Sequence, residues 1–324
     1  MTPLSAQRRV SYALFAASFT AAIAFHLGPA LIAGLFAYSI LDLSHRFFAR
    51  KMSVYAAKLW AVLLFLVVAA AMSWTMAHFA RQSISTLSSL ASTTIPKVSD
   101  ILNRWGFDLP FDNLQELRRL LADSFKENAG DITQLSGLVT KRFFHILLAV
   151  VASVLAFLAP KQEIDRRSQY GALRAEFDER VRRFMESFER VLGAQVAISA
   201  INTTLTAFFL LFMSFPYAAF LILATFILGI LPIIGNILSN TIICAAALSL
   251  SLRHAVFALI FLVVIHKGEY FLNSRIIGGT IRVPMWQTLL GILVGEVVMG
   301  VPGIILAPAI LHYVRKELED LPAT

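Results

Sequence analysis

The sequence predicts an all-α polytopic membrane protein. Of its 324 residues, 58% are hydrophobic and only 15% are charged, whereas soluble domains are about half apolar and about a quarter charged. The mean hydropathy is +0.73, which no soluble globule of this size accommodates without large exposed apolar patches. The apolar runs are long and lack the alternation of strands, so they indicate spanning helices.

Charge and cysteine content narrow the class of partner further. The formal net charge is +8, and in a chain this apolar such an excess favours the anionic surface of a lipid bilayer over nucleic acid as its partner. The single cysteine, Cys244, excludes an internal disulfide and a cysteine-based zinc site.

The first segment, residues 1–78, is predicted to contain three membrane helices. Apolar runs at 10–25 and 28–43 meet at His26-Leu27-Gly28-Pro29 and predict a tight helical hairpin. The run 55–78 is long enough to span the bilayer. The same start also resembles a cleavable secretory signal ending at Ala22–Ala24, but the second apolar run follows at once and favours a retained hairpin. Basic residues near these ends place the N-terminus in the cytoplasm.

Residues 79–142 are predicted to form an external amphipathic helical insert. A heptad seam indicates either helices lying on the membrane or on each other, or a contact between copies in a homo-oligomer. Pro96 interrupts the seam, so we expect a kink or two shorter helices there. The seam consists of Ile84, Leu87, Ala91, Thr94, Val98, Ile101 and Trp105.

A fourth span is predicted at 143–159, followed by a cytoplasmic amphipathic helix at 160–193. Its acid-before-base pairs, spaced four residues apart, are typical of an exposed helix, while Phe184 and Phe188 belong to an apolar face. The helix either binds acidic lipid headgroups or packs under the bundle. The pairs are Glu176/Arg180, Asp178/Arg182, Glu179/Arg183 and Glu186/Arg190.

The transport core is predicted at 194–314, with a cytoplasmic tail at 315–324. Pro232 and Gly235 fall inside one apolar stretch, and Gly300, Pro302 and Gly303 fall inside another, so both predict helices broken or re-entrant within the membrane. Such breaks line a cavity or are buried in protein, and in transporters their ends hold substrate or ions. The alternative is a simple kink or a surface loop.

Four polar residues of this core are candidates for substrate or ion binding: Glu296, Glu269, Asn273 and Asn236. Glu296 lies in an apolar run, where a carboxylate is costly and marks a functional site. Gly291 and Gly295 form a small-residue pair that lets a neighbouring helix approach. In the alternative, Glu296 is held by Asn273, Gln287 or a backbone carbonyl and has no role in transport.

Motifs of soluble enzymes are absent from the sequence: it has no phosphate-binding glycine loop, paired-histidine zinc helix or nucleophile elbow. We therefore expect no catalytic residues, no metal site and no cofactor beyond coupling protons or sodium. An intramembrane enzyme has no converging acid, base and nucleophile to support it.

The order of these motifs resembles the autoinducer-2 exporter family of bacterial membrane proteins. The resemblance implies about eight membrane segments, cytoplasmic termini, an oligomer, and export of small polar molecules or sodium/proton exchange. Lys267-Gly268-Glu269 departs from the more neutral stretch expected there. The matching residues are Pro232-x-x-Gly235-Asn236, Asn273-x-x-Ile276-x-Gly278, Pro284, Gly295-Glu296-x-x-x-Gly300-x-x-Gly303 and Ala307-Pro308.

The function predicted from all this is a secondary transporter in the bacterial inner membrane, exporting a small polar solute or exchanging cations. Glu296 is the expected protonatable or cation-binding group, with Glu269 and Asn273 in support. The alternative is an oligomeric pore or structural scaffold without ion coupling.

Overall fold

The computed structural model describes residues 6–107, 115–116, 132–160, 164–276 and 284–320, and their side chains except at 132–139, 270–276 and 285. Within these ranges every regular element is a helix, which confirms the all-α class. The helices are α1 Ala6–Ala24, α2 Gly28–Phe48, α3 Val54–Arg104, α4 Ile132–Leu158, α5 Gln169–Phe212, α6 Ala218–Gly229, α7 Ile234–Leu250, α8 Leu252–Ile276, α9 Met285–Met299 and α10 Val301–Glu319.

Four stretches of the described chain are long and apolar enough to cross a membrane: Gly28–Phe48, Val54–Arg104, Thr140–Leu158 and Gln169–Phe212. Helices α6, α7 and the greater part of α9 are apolar but shorter; the 12 residues of α6 extend only about 18 Å, against a hydrocarbon core of about 30 Å. The protein is thus a multi-pass membrane protein, and the count of eight segments stays a prediction.

The long helices α3 and α5 run through the predicted boundaries at 78 and 193. Helix α3 also continues through Pro96, so of the two predicted alternatives, a kink or two shorter helices, the second is wrong and the kink stays a prediction. Side chains flanking the proline hold the helix: the Thr94 hydroxyl donates to the carbonyl of Ala245 (3.0 Å), and the Lys97 ammonium donates to the carbonyl of Ser249 (2.6 Å). These contacts join α3 to α7 on both sides of the proline.

The described chain divides into two compact units, and the first comprises Met1–Ala70, Gly137–Gly193 and Ile281–Thr324. Its helices α1 and α2 form the predicted hairpin, joined through His26 at a positive φ of 54°. The predicted apolar face of α5 packs as expected, because Phe184 and Phe188 are buried with Leu306 and Tyr313 of α10.

The second unit comprises Ala71–Ser136 and Ala194–Thr280. Helices α6, α7 and α8 follow one another along the chain, and each contacts the next. Their core also includes Leu90 of α3 and Leu210 of α5. Phe79 of α3 stacks on Phe220 of α6 with ring centroids 5.4 Å apart. This packing positions the connection between α6 and α7, beside which polar side chains of α5, α7 and α8 lie.

Of the insert predicted at 79–142, the part described is largely the end of α3 and the start of α4. The seam residues at its two ends are exposed, Ile84 by 75% and Trp105 by 77%. Thr86, Leu90 and Ser99 of the same helix are nearly inaccessible, and Thr94 in the middle of the seam contacts α7. The contact between copies that the seam suggested stays a prediction.

Candidate functional site

The break between α6 and α7 is a sharp turn at Ile230–Ile233. Ile233 has φ 66° and ψ −62°, and the amide of Ile234 donates to the carbonyl of Pro232 at 2.7 Å. These values describe a γ-turn of the rare, strained type. A β-branched residue at positive φ is costly, and such strain concentrates at functional sites.

Glycine is required directly after this turn. A Cβ added to Gly235 would lie 1.7 Å from the carbonyl oxygen of Leu228, well inside van der Waals contact, so no other residue fits without moving the backbone. The start of α7 therefore approaches the end of α6 backbone to backbone. Pro232 and Gly235 both lie at the break that the sequence predicted to be there.

Carbonyls at the end of α6 are held by side chains of α5. The Gln195 amide donates to the carbonyl of Gly229, and the Ser199 hydroxyl donates to that of Phe226, both at 2.8 Å. The last carbonyls of a helix have no partner within the helix, so these bonds stabilise an end that lies amid apolar residues. Sequence reasoning missed Gln195, although a polar side chain in an apolar run was a usable signal.

Asn236, in the first turn of α7, contacts Glu269 of α8. Its amide nitrogen donates to both carboxylate oxygens, at 2.8 and 2.9 Å, and the Glu269 side chain is only 12% exposed. A carboxylate near the start of a helix is favoured by the helix dipole. Two of the four predicted binding residues are therefore brought together at the helix break.

Two neighbours of Glu269 on α8, His266 and Gly268, do not cover the Asn236–Glu269 pair completely. His266 Nδ1 lies 3.9 Å from a Glu269 oxygen, and the His266 side chain is 72% exposed. A Cβ on Gly268 would meet nothing within 4 Å. Asn273 is in α8 four residues after Glu269, but its side chain lies outside the described residues, as does Gly278 entirely.

The second break is a tight hairpin between α9 and α10. Gly300 turns the chain with φ 68°, and α10 begins at Val301 with Pro302 in its first turn. A Cβ on Gly303 would lie 1.8 Å from the carbonyl oxygen of Gly295. On Gly291 it would lie 2.6 Å from Leu311 Cδ1. The two predicted packing glycines thus face α10 at close range.

Glu296 lies beside this hairpin, with its side chain exposed. It makes no side-chain hydrogen bond or ion pair with any group that the structure describes, and Leu293 and Val297 near it are 60% and 75% exposed. Helix α9 turns its glycines and Ile292 toward α10, which leaves Glu296 at the rim of that seam. Asn236 and Glu269 belong to one unit and Glu296 to the other.

The charged part of α5 differs from the predicted row of surface pairs. The pairs Glu176–Arg180 (3.4 Å) and Glu179–Arg183 (2.7 Å) are present, while Asp178 pairs with Arg174 instead. Arg180 is buried rather than exposed: its guanidinium donates to Glu317 of α10 at 2.6 Å, with side chains 3% and 7% exposed. The tertiary contact with α10 was not visible in the local spacing.

Two arginines of α5, Arg182 and Arg183, favour the ionised form of the Glu179 carboxyl. Burial raises the pKa of the Glu179 carboxyl, but hydrogen bonds from Arg182 and Arg183 outweigh burial, so the pKa lies below its usual value.

Among the described residues, no group of three or more His, Cys, Asp or Glu side chains is placed to hold a metal ion.

Comparison with known proteins adds two findings. The family model described as AI-2E family transporter matches residues 10–322. A Bacillus subtilis (strain 168) protein named "Putative transport protein YdbI" is 27% identical over 139 residues, which are 42% of this chain and 40% of that protein. The chain therefore aligns with less than half the length of that relative.

Proposed function

Because the chain belongs to the AI-2E transporter family, we propose that this membrane transporter is a secondary carrier coupled through Glu269. It exports a small polar solute or exchanges cations, driven by a proton or sodium gradient. It resides in the bacterial inner membrane as a homo-oligomer, with both termini in the cytoplasm. The observation that carries the proposal is the Asn236–Glu269 contact at the strained break between α6 and α7.

The contact links protonation to the position of α7. An ionised carboxylate accepts hydrogen bonds on both oxygens, whereas a protonated one presents a hydroxyl on one of them. Protonation of Glu269 converts one acceptor oxygen into a hydroxyl, a poorer acceptor, and so weakens one of the two Asn236 bonds. A cation bound to the carboxylate competes for the same lone pairs. Asn236 is three residues past Ile233, so this change acts directly on the strained turn.

Glu269 suits this role better than Glu296 in the geometry at hand. Glu269 is largely buried, has a hydrogen-bonding partner and adjoins a helix break. Glu296 is exposed on an apolar helix face, where an ionised carboxylate in contact with lipid is costly. Glu296 is retained as a second candidate carboxylate, to be separated from Glu269 by mutation.

The test uses the full chain in proteoliposomes with an imposed proton or sodium gradient and a panel of small polar solutes and cations. We expect gradient-dependent transport by the unaltered protein, and its loss in Glu269→Gln. Glu319→Gln is the matched control, because Glu319 is 60% exposed and paired with Arg315 on the surface. Full coupling in Glu269→Gln, with coupling lost in Glu296→Gln, would move the role to Glu296.

The rival is an oligomeric pore without coupling. Conductance of the protein in planar bilayers that is insensitive to either gradient and unchanged by Glu269→Gln would favour the pore and reject the carrier.

A further inference from the structure

Helix α6 is bounded at both ends by backbone of the kind that glycine normally adopts. Among the described residues, four residues other than glycine have a positive φ, and three of them flank α6: Ser214 (53°), Tyr217 (59°) and Ile233 (66°). The fourth, His26, lies in the α1–α2 hairpin of the other unit. A side chain crowds the backbone in this region, so each of these positions carries strain that glycine would not have.

The strained residues lie in the two connections of α6. Ser214 ends α5, where the amide of Phe215 donates to the carbonyl of Leu210 at 2.9 Å, a bond of helix ends at which glycine is usual. Tyr217 directly precedes α6, and the β-branched Ile233 directly precedes α7. Strain of this kind persists only where surrounding contacts enforce it, and it is found in segments that switch.

Three hydrogen bonds hold the ends of α6 in place. At its start, the hydroxyls of Tyr217 and Ser89 of α3 are hydrogen-bonded at 3.0 Å. At its end, Gln195 and Ser199 of α5 each donate to a carbonyl in the last turn of α6 at 2.8 Å. These bonds supply the contacts that oppose the strain of the connections.

The sides of α6 have no directional contact of this kind. Thr225, its one polar side chain, bonds to a carbonyl of its own helix. Phe220 and Leu221 are buried among apolar neighbours, and apolar packing is non-directional. A displacement of α6 therefore costs the hydrogen bonds at its ends and relieves the strain in its two connections.

We propose that α6 is a two-state element of the second unit, which the three hydrogen bonds hold in the observed position and the strained connections push out of it. Opposed contributions of similar size make an element bistable. Because Asn236 follows Ile233 by three residues, the second position of α6 changes the contact of Asn236 with Glu269. This link to transport rests on the proposed function, whereas the movement of α6 does not.

The experiment measures the distance between two spin labels on the full chain in nanodiscs, by double electron–electron resonance. The labels are attached at Ala219→Cys in α6 and Ala200→Cys in α5, which are exposed positions, in a chain that also carries Cys244→Ala. We expect two distances, one for each position of α6. The relative populations of the two distances are the quantity that further substitutions change.

Two kinds of substitution should shift the populations in opposite directions. Ser214→Gly and Ile233→Gly each remove strain and should favour the observed position about tenfold. Ser199→Ala removes a holding bond and should disfavour that position about fivefold. His26→Gly is the matched control, because it removes the same kind of strain in the other unit and should leave the populations unchanged.

A single distance in the unaltered chain and in every variant overturns the inference. Shifts of the same direction in the glycine variants and in Ser199→Ala, or an equal shift in His26→Gly, overturn it as well. The measurement needs neither a solute nor an ion gradient. Its failure is therefore distinguishable from a failure of coupling through Glu269, which only the transport assay reports.

Discussion

The buried ion pair between Arg180 and Glu317 offers a quantitative test of how the first unit is held together. The two side chains are 3% and 7% exposed, and their closest atoms are 2.6 Å apart. Removing one member of a buried pair costs about 3–5 kcal/mol, because the remaining charge stays buried. Glu176 lies 3.4 Å from Arg180 and compensates in part, so we expect Glu317→Gln to cost about 3 kcal/mol.

The assay is thermal unfolding of the purified protein in detergent, followed by circular dichroism. A loss of about 3 kcal/mol corresponds to a midpoint lowered by roughly 4 °C for a protein of this size. Glu319→Gln is the control, since its surface pair with Arg315 contributes less than about 1 kcal/mol. Equal midpoints for the two variants would show that the buried pair does not hold α10 to α5.

Three further predictions concern single positions. Gly303→Ala places a methyl group against the carbonyl of Gly295 and should lower the free energy of unfolding by about 1–3 kcal/mol. Gly268→Ala is the control: its methyl group meets open space, so it should be neutral or stabilising. Equal unfolding midpoints for the two variants would contradict the close packing of α9 and α10. Lys97 of α3 donates to a carbonyl of the last turn of α7. Lys97→Ala removes this cation and should lower the free energy of unfolding by about 0.3–1 kcal/mol. An unchanged unfolding midpoint in the same assay would count against the contact. Because the pKa of Glu179 is lowered in the folded state, its ionised carboxylate stabilises the fold above the unfolded pKa, and this stabilisation is lost as the pH falls through the folded pKa. Glu179→Gln should remove this part of the loss of stability in acid. If the pH midpoint of acid unfolding is the same in Glu179→Gln and the unaltered protein, Glu179 is not a cause of it.

The helices and their breaks were predictable because they rest on local chemistry. Apolar runs give the spans, and the proline and glycine positions at Pro232, Gly235 and Gly300 mark where helices end. Pro96 shows the limit of such reasoning: the same residue type lies inside a continuous helix, and Thr94 and Lys97 beside it bond to an element far along the chain. Local sequence does not reveal such long-range partners.

The candidate site was predictable as a set of residues but not as an arrangement. A carboxylate isolated in an apolar run singled out Glu296, yet the structure leaves that side chain exposed. The carboxylate with a buried partner is Glu269, which lies 33 residues from Asn236. Periodicity within one helix does not specify which helix lies beside it, so the contact required the fold.

The most direct test of the coupling role of Glu269 compares gradient-driven accumulation with solute counterflow in the same proteoliposomes. Counterflow needs solute binding and the conformational cycle but no net ion movement. For Glu269→Gln we expect counterflow close to that of the unaltered protein, while accumulation against a solute gradient falls to background. Accumulation that survives in this variant, with counterflow also intact, would contradict coupling through the Asn236–Glu269 contact.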